Sequence, residues 1–332
     1  MPTEIVATAQ ATLWNPTPTG ARRRLGFLDV SRAIAVLAML CANLVNVFLR
    51  RVPSPLAHNQ GDALRVFDLP APVFQFLLGV SLVLFLEKRA ARGLSALETQ
   101  LAALRRFVLL IALGCVLDGI GTLKSAPQWG VLQTLGLGGA VATGVAYLPD
   151  AYPAGLALAL LGAFSGLANG DVHHSPFAAF AFVPLTLAGL LVGRGLRAGA
   201  PRREFVARAA IVTATSGVLA LLEYLFGVPF NKVLGTGSFV ALATTVAVAL
   251  MVAVERLERA RVAFPPWLVA VGANALTAWV LQYVLVYYPA WLLFPTWHRL
   301  PLVPGIASVV AVATALATVT VVLGRRGIRI PI

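Results

Sequence analysis

Residues 28–79 read LDVSRAIAVLAMLCANLVNVFLRRVPSPLAHNQGDALRVFDLPAPVFQFLLG, and the rest of the chain is organised around this stretch. It begins as an apolar helix that carries Asp29 and Arg32, continues through a polar segment with His58 and Asp68, and re-enters an apolar run through two prolines. Ionisable groups inside or beside a membrane segment are costly in lipid, so they are expected to face a protein interior or a watery cavity. This stretch is therefore the first place to look for function.

The composition is that of an integral membrane protein. Of the 332 residues, 59% are hydrophobic and 12% are charged, whereas about a quarter of the residues of soluble domains are charged. Cys41 and Cys115 both lie in apolar runs, where a thiol behaves as a small core residue, and they indicate no disulfide framework.

Ten apolar segments approach the roughly 20 residues that a helix needs to cross about 30 Å of hydrocarbon. The sequence therefore predicts an all-α polytopic membrane helix bundle with about ten transmembrane helices. They fall near residues 27–49, 69–87, 105–123, 129–148, 152–169, 176–193, 205–226, 237–254, 266–287 and 303–323. The fourth and fifth are expected to form a tight hairpin at Pro149–Pro153, and LSALETQLAALRR (94–106) predicts a separate amphipathic interfacial helix.

The net charge of +13 is distributed unevenly between the two sides of this bundle. Most of the 26 Lys and Arg residues fall in alternate connections and at the two ends of the chain. Positively charged loops stay cytoplasmic, so both termini are predicted to be cytoplasmic, and nucleic acid is not a predicted partner. Residues 1–24 are expected to be a disordered cytoplasmic tail with no cleaved signal peptide, and the predicted location is the bacterial inner (plasma) membrane.

Several short patterns in the chain resemble one known family. They are L-D-x-x-R-x-I-A-x-x-x-M-x-x-x-N at 28–43, His58 with Asp68 ten residues later, FQFLLGVS at 74–81, VLQ at 131–133, P-F-N-K with L-x-T-x-S-F at 229–239, and GANAL at 272–276. In this order they resemble the heparan-α-glucosaminide N-acetyltransferase family of multi-pass transmembrane acyltransferases. The resemblance implies that residues 25–332 form a transmembrane acyltransferase domain.

The resemblance implies a catalytic role for His58, Asn43 and Asp68. A neutral imidazole suits acetyl transfer, because it can take the proton from an attacking amine or hydroxyl or can itself accept the acetyl group. Asp68, or alternatively Asp62, would orient the ring, and the amide of Asn43 would stabilise the oxyanion. The residues alone favour an amide that ties helices together over a catalytic Asn43, and Asn46 is a neighbouring alternative.

Other polar residues are candidates for binding the two substrates. The donor, acetyl-CoA, is assigned to Arg32, Asp29 and Gln133, because guanidinium groups pair with phosphates. The acceptor is assigned to Asn231, Lys232, Ser238 and Asn274. The alternatives are a structural ion pair for Asp29 and Arg32, which share a helix face, and interhelical hydrogen bonds for Gln133 and Asn274. No metal site is predicted.

The leading hypothesis is an enzyme that moves an acetyl or short acyl group from cytoplasmic acyl-CoA to an amine or hydroxyl of a sugar or glycan on the non-cytoplasmic side of the bilayer, with a homodimer left open as its assembly. One alternative is a secondary transporter in which Asp29, Asp118 and Glu223 are proton or ion sites. A second alternative is an inactive accessory protein of envelope-polysaccharide assembly.

Overall fold

The computed structural model of the chain describes residues 25–57, 61–122, 129–166, 175–293, 299–328 and 330. Within these ranges the fold is helical, with an isolated β-bridge between Leu49 and Leu300, so the all-α prediction is confirmed. The α-helices are α1 Gly26–Phe48, α2 Pro70–Ala90, α3 Ala96–Thr122, α4 Val131–Val145, α5 Ala151–Gly166, α6 Val183–Gly193, α7 Arg202–Leu225, α8 Gly237–Arg259, α9 Pro266–Ala273, α10 Ala275–Gln282 and α11 Leu302–Arg325. Short 3₁₀ turns precede α2 at Val66–Asp68 and α6 at Ala178–Phe182, and π-helical turns extend α10 over Tyr283–Tyr287 and Pro289–Leu293.

Eight helical segments of the described residues are long and apolar enough to cross a membrane, which makes this an integral membrane protein. Helices α4 and α5 are shorter, with 15 and 16 residues. At the usual rise they measure about 23 Å, less than the thickness of the hydrocarbon layer. The count of ten crossings and the cytoplasmic placement of the termini therefore stay predictions.

The predicted amphipathic helix over 94–106 is not a separate element, because those residues form the first turns of the continuous helix α3. Ser95 and Glu98 explain where α3 begins. The Ser95 backbone N–H donates to Glu98 Oε2 at 2.8 Å, and the Glu98 N–H donates to Ser95 Oγ at 3.3 Å. This reciprocal capping satisfies two donors at the helix start, and no Gly or Pro interrupts the following turns before residue 114.

Helices α1 and α2 occupy the centre of the bundle. Helix α1 packs against α2, α8, α9 and α11, while α2 packs against α6, α8 and α4. Two glycines of the sequence patterns permit close contact between helix backbones. A Cβ at Gly272 would collide with the backbone oxygen of Asp29, and a Cβ at Gly79 would collide with the backbone oxygen of Thr186. We call the end of the bundle where α1 begins the proximal end, and the end where α1 finishes the distal end.

The short connection between α4 and α5 lies at the proximal end and is held by an ion cluster. Asp150 contacts Arg194 and also accepts a hydrogen bond from Arg208 Nη1 at 2.6 Å. Arg194 is buried and donates to the Ala146 and Leu148 carbonyls at 2.9 and 2.7 Å. Burial alone would raise the pKa of Asp150, but the hydrogen bonds and charges of the two arginines lower it below its ordinary value. The predicted tight hairpin is thus present and is anchored to α6 and α7.

Candidate functional site

The distal end carries a cluster of polar side chains that bond to one another. Asp68 is fully buried at the entrance to α2; its Oδ2 accepts from the Arg65 N–H at 3.1 Å, and its Oδ1 lies 3.8 Å from Lys232 Nζ. Asn231 Nδ2 donates to Asp62 Oδ1 at 2.8 Å. The predicted catalytic Asp68 and the predicted acceptor residues Asn231 and Lys232 are therefore brought together, although they are far apart in sequence.

The loop between α7 and α8 is shaped by its own polar groups. Asn231 Oδ1 accepts from the Leu234 N–H at 3.0 Å, and the hydroxyls of Thr236 and Ser238 each donate to the Pro229 carbonyl at 2.7 Å. Ser238 is thus next to Asn231 in the same cluster. We call Asp62, Asp68, Asn231, Lys232 and Ser238 the distal cluster. Burial lowers the pKa of Lys232, and the carboxylate of Asp68 opposes that effect.

His58 lies outside the described residues, so its proximity to Asn43 and Asp68 stays a prediction. The other histidines of the chain, His173, His174 and His298, also lie outside them. Within the part of the chain that the structure describes, no group of three or more His, Cys, Asp or Glu side chains is arranged to hold a metal ion.

Asn43 forms an interhelical amide pair in the distal half of α1. Its Nδ2 donates to Gln282 Oε1 at 3.1 Å, and Gln282 Nε2 donates to the Leu40 carbonyl at 3.2 Å. Gln282 is fully buried. The pair ties α1 to α10, as expected for amides between membrane helices, and it places Asn43 beside the helix that follows the GANAL pattern.

Asp29 and Arg32 form the ion pair that their spacing predicts, at the proximal end. Arg32 Nη1 lies 2.9 Å from Asp29 Oδ1, and Nη2 donates to the Ser81 hydroxyl of α2. Asn274 also lies at this end, at the break between α9 and α10, where its Nδ2 donates to the Ala270 carbonyl at 2.7 Å. Asn274 is therefore separate from the three other predicted acceptor residues.

Gln133, the third residue predicted to bind the donor, also lies apart from Asp29 and Arg32. It lies in the first turn of α4, fully buried, and donates to Asp118 Oδ2 at 2.9 Å. The other carboxylate oxygen accepts from the Tyr283 hydroxyl at 2.7 Å. This trio connects α3, α4 and the π-helical extension of α10 in the distal half of the bundle.

A cleft of about 910 Å³ opens at the proximal end between α2, α3 and the α9–α10 break. Three arginines, Arg89, Arg105 and Arg106, line it together with Asn274, and its described lining contains no Asp or Glu. The guanidinium carbon of Arg106 lies 4.7 Å from the centre of the Phe85 ring. We call this the arginine cleft; its charge suits an anionic ligand.

An apolar chamber of about 210 Å³ adjoins the arginine cleft, and the two share Phe85, Arg106 and the first residues of α10. Its walls come from α1, α2, α3, α4 and α10. They consist of apolar and aromatic side chains except for Ser81 and Arg106. Along α2 the chamber extends from Phe85 to Phe74, about 16 Å of helix rise. It runs from the proximal cleft into the distal half of the bundle.

Sequence reasoning misses the arginine cleft, Gln282 and Trp279. It assigns Arg105 and Arg106 only to the charge asymmetry of the loops, although two adjacent arginines where an amphipathic stretch becomes a membrane helix are a usable signal. For Gln282 and Trp279 the local sequence holds no signal beyond a polar group in an apolar helix. These features define a polytopic membrane protein with polar sites at both ends of one bundle and an apolar chamber between them.

Residues 24–188 match the family model described as the catalytic region of heparan-alpha-glucosaminide N-acetyltransferase. The match spans about half of the chain and includes α1, the segment with His58, and the cleft arginines. The resemblance seen in the sequence is thereby confirmed, and the chain belongs to a heparan-α-glucosaminide N-acetyltransferase-like family of membrane acetyltransferases. No curated protein matches the chain.

Proposed function

We propose that the protein transfers an acetyl or other short acyl group from acyl-CoA at the proximal end to an amine or hydroxyl of a sugar at the distal end. The observation that carries the proposal is the continuity between the arginine cleft and the apolar chamber, within a fold whose family is that of a membrane N-acetyltransferase. A charged thioester carrier cannot cross lipid, so a passage between helices that admits only its reactive end is what such a reaction requires.

The donor would enter at the arginine cleft. The proximal end carries the basic connections of the chain, which favours a cytoplasmic, inner-membrane orientation where acyl-CoA is available. Arg89, Arg105 and Arg106 would pair with the phosphates of coenzyme A. Arg32 is already paired with Asp29 and bonded to Ser81 in the chamber wall, so these residues would shape the route of the pantetheine arm. Gln133 would act at the other end of the chamber, through Asp118.

The transfer would take place at the distal side of the chamber. The acceptor nitrogen or oxygen attacks the thioester carbonyl carbon while His58 takes its proton, the C–S bond breaks, and the coenzyme A thiolate receives a proton as it leaves. Asn43 would donate to the oxyanion. Asp68 or Asp62 would orient His58, and Asn231, Lys232 and Ser238 would bind the acceptor through the same cluster.

The experiment uses the purified full-length protein with labelled acetyl-CoA and a panel of amino sugars and neutral sugars. We expect release of coenzyme A coupled to acetylation of at least one sugar, and a loss of about 10²- to 10⁴-fold in kcat for His58→Ala. His173→Ala, in another connection, is the matched control and should retain full activity. Absence of thioester turnover, or full turnover by His58→Ala, would contradict the mechanism.

A further inference from the structure

One face of α3 brings charged and apolar side chains to the mouth of the arginine cleft. Leu101, Arg105 and Leu109 are spaced four residues apart, so they lie on the same side of the helix, and all three are exposed and line the cleft. Helix α3 has 27 residues, about 40 Å, and is longer than the roughly 30 Å of hydrocarbon. Its polar first turns therefore reach the lipid headgroups, and the cleft opens towards the bilayer.

Two guanidinium groups of the cleft are held against one aromatic ring. The guanidinium carbons of Arg89 and Arg106 lie 5.6 and 4.7 Å from the centre of the Phe85 ring, and Arg105 lines the same cleft. Guanidinium groups pair bidentately with phosphate oxygens, and basic pockets between membrane helices bind the phosphates of anionic lipids. Because the described lining of the cleft holds no carboxylate, a phosphate is the expected counter-charge.

The apolar chamber starts at the arginine cleft and offers little to water. Phe85 and Arg106 line both cavities, so a phosphate bound by the arginines would stand at the entrance to the chamber. Ordered water needs two to four polar partners, whereas the other polar wall residue, Ser81, already donates to the Leu77 carbonyl and accepts from Arg32. The wall suits a hydrocarbon chain, and its extent of about 16 Å along α2 matches one leaflet of hydrocarbon, about 15 Å.

We infer that the arginine cleft and the apolar chamber together bind one anionic phospholipid, with its phosphate on Arg89, Arg105 and Arg106 and one acyl chain inside the chamber. This inference goes beyond the proposed function, since binding a lipid involves no group transfer. Acyl-CoA also combines phosphates with a chain that ends in an acyl group, so the lipid and the donor would exclude one another from the same site. That competition alone rests on the proposed function.

Photolabelling of the purified full-length protein in detergent tests the inference. Two probes carry a diazirine at the end of one acyl chain: phosphatidylglycerol, which is anionic, and phosphatidylcholine, which has no net charge. We expect phosphatidylglycerol to label Leu132 or Leu135 of α4, chamber residues that are only 5% and 3% exposed, at least about 10-fold more than phosphatidylcholine does. Both probes should label Val116 equally, because it is exposed on α3 and does not line the chamber. Equal labelling of α4 by the two probes, or none by either, would overturn the inference.

The double variant Arg105→Gln with Arg106→Gln removes two of the three charges of the cleft and keeps polar side chains. Its labelling of α4 by phosphatidylglycerol should fall about 10-fold or more, while the labelling of Val116 is retained. Arg203→Gln is the control and should be labelled as the wild type is, because Arg203 is exposed at the same end and does not line the cleft. Unchanged labelling of α4 in the double variant, or an equal loss in the control, would overturn the inference.

A measurement on the wild type covers the case in which the double variant does not fold. Phosphatidylglycerol should raise the unfolding temperature more than phosphatidylcholine at the same concentration, because a ligand that binds only the folded state stabilises it. Equal shifts would overturn the inference.

Coenzyme A separates the lipid site from the donor site. We expect added coenzyme A to suppress the labelling of α4 by phosphatidylglycerol in the wild type. If the labelling is unaffected, the lipid site stands and the donor site of the proposed function fails. If coenzyme A binds in calorimetry but the two lipid probes label α4 equally, only the lipid inference fails.

Discussion

The distal cluster and the arginine cleft hold their charged groups in different ways. At the distal end, Asp68 and Asp62 are bonded to Lys232 and Asn231, so the polar groups largely satisfy one another. At the proximal end, the arginines of the cleft face a cavity whose described lining holds no carboxylate. Buried charges that pair with each other stabilise a particular packing, whereas like charges gathered around a cavity indicate a ligand of opposite charge.

The largest effect is expected from breaking the distal cluster. Asp68→Ala would leave Lys232 buried without its counter-charge, and we expect the free energy of unfolding to fall by about 3–5 kcal/mol. Thermal and denaturant unfolding in detergent measures this. The double variant Asp68→Asn with Lys232→Met, which buries no charge, should recover part of the loss. Unchanged stability of Asp68→Ala would show that the pair does not hold the distal end together.

Asn43 and Gln282 provide a matched pair of variants for the region between the two ends. Asn43→Ala and Gln282→Met both remove the hydrogen bond between the two amides, which is worth about 1 kcal/mol of stability. If Asn43 also stabilises the oxyanion, kcat should fall about 10²- to 10³-fold for Asn43→Ala and much less for Gln282→Met. Equal losses of kcat in the two variants would mean that Asn43 only connects α1 to α10 and does not stabilise the oxyanion.

The arginine cleft is tested by Arg105→Gln. Loss of a charge-assisted contact with phosphate should raise KM for acetyl-CoA about 10-fold or more, and the dependence of KM on ionic strength should become weaker. Arg203→Gln is the control, since Arg203 is exposed at the same end at the start of α7 and does not line the cleft. An equal change in both variants would mean that only net charge matters.

The smallest effect concerns the proximal hairpin. The pKa of Asp150 is below its ordinary value of 3.8 because Arg208 and Arg194 outweigh the effect of burial. The unfolded chain therefore binds more protons as the pH falls below about 4, and stability should decline there. Asp150→Asn should lower stability at neutral pH, though less than Asp68→Ala does, because buried Arg194 keeps its hydrogen bonds to the Ala146 and Leu148 carbonyls. It should also remove this part of the acid dependence, as measured by unfolding temperature against pH. An identical pH profile in the variant would contradict the role of the cluster.

Local features of the fold could be predicted from the sequence. Length and hydropathy place the helices, the three-residue spacing gives the Asp29–Arg32 pair, and the prolines mark the α4–α5 turn. Where prediction fails, the cause is also local: the 94–106 stretch has the pattern of an interfacial helix, but nothing in it terminates helix α3.

Pairings between distant residues could not be predicted. Asn43 with Gln282, Asp62 with Asn231, and Asp118 with Tyr283 depend on how each helix is rotated against its neighbours. Apolar sequences constrain that rotation weakly, because lipid-facing and buried surfaces of membrane helices are both apolar. For the same reason the sequence groups Gln133 with Asp29, and Asn274 with Lys232, whereas the fold places each pair at opposite ends.

The central claim is that an acyl group passes from a carrier at one end of the bundle to an acceptor at the other. Its most direct test uses proteoliposomes with labelled acetyl-CoA only outside and an amino sugar, found to be an acceptor in the assay with purified protein, trapped only inside. The account predicts labelled, acetylated sugar in the vesicle lumen while all coenzyme A stays outside. Acetylation that occurs only when both substrates are on the same side would contradict it.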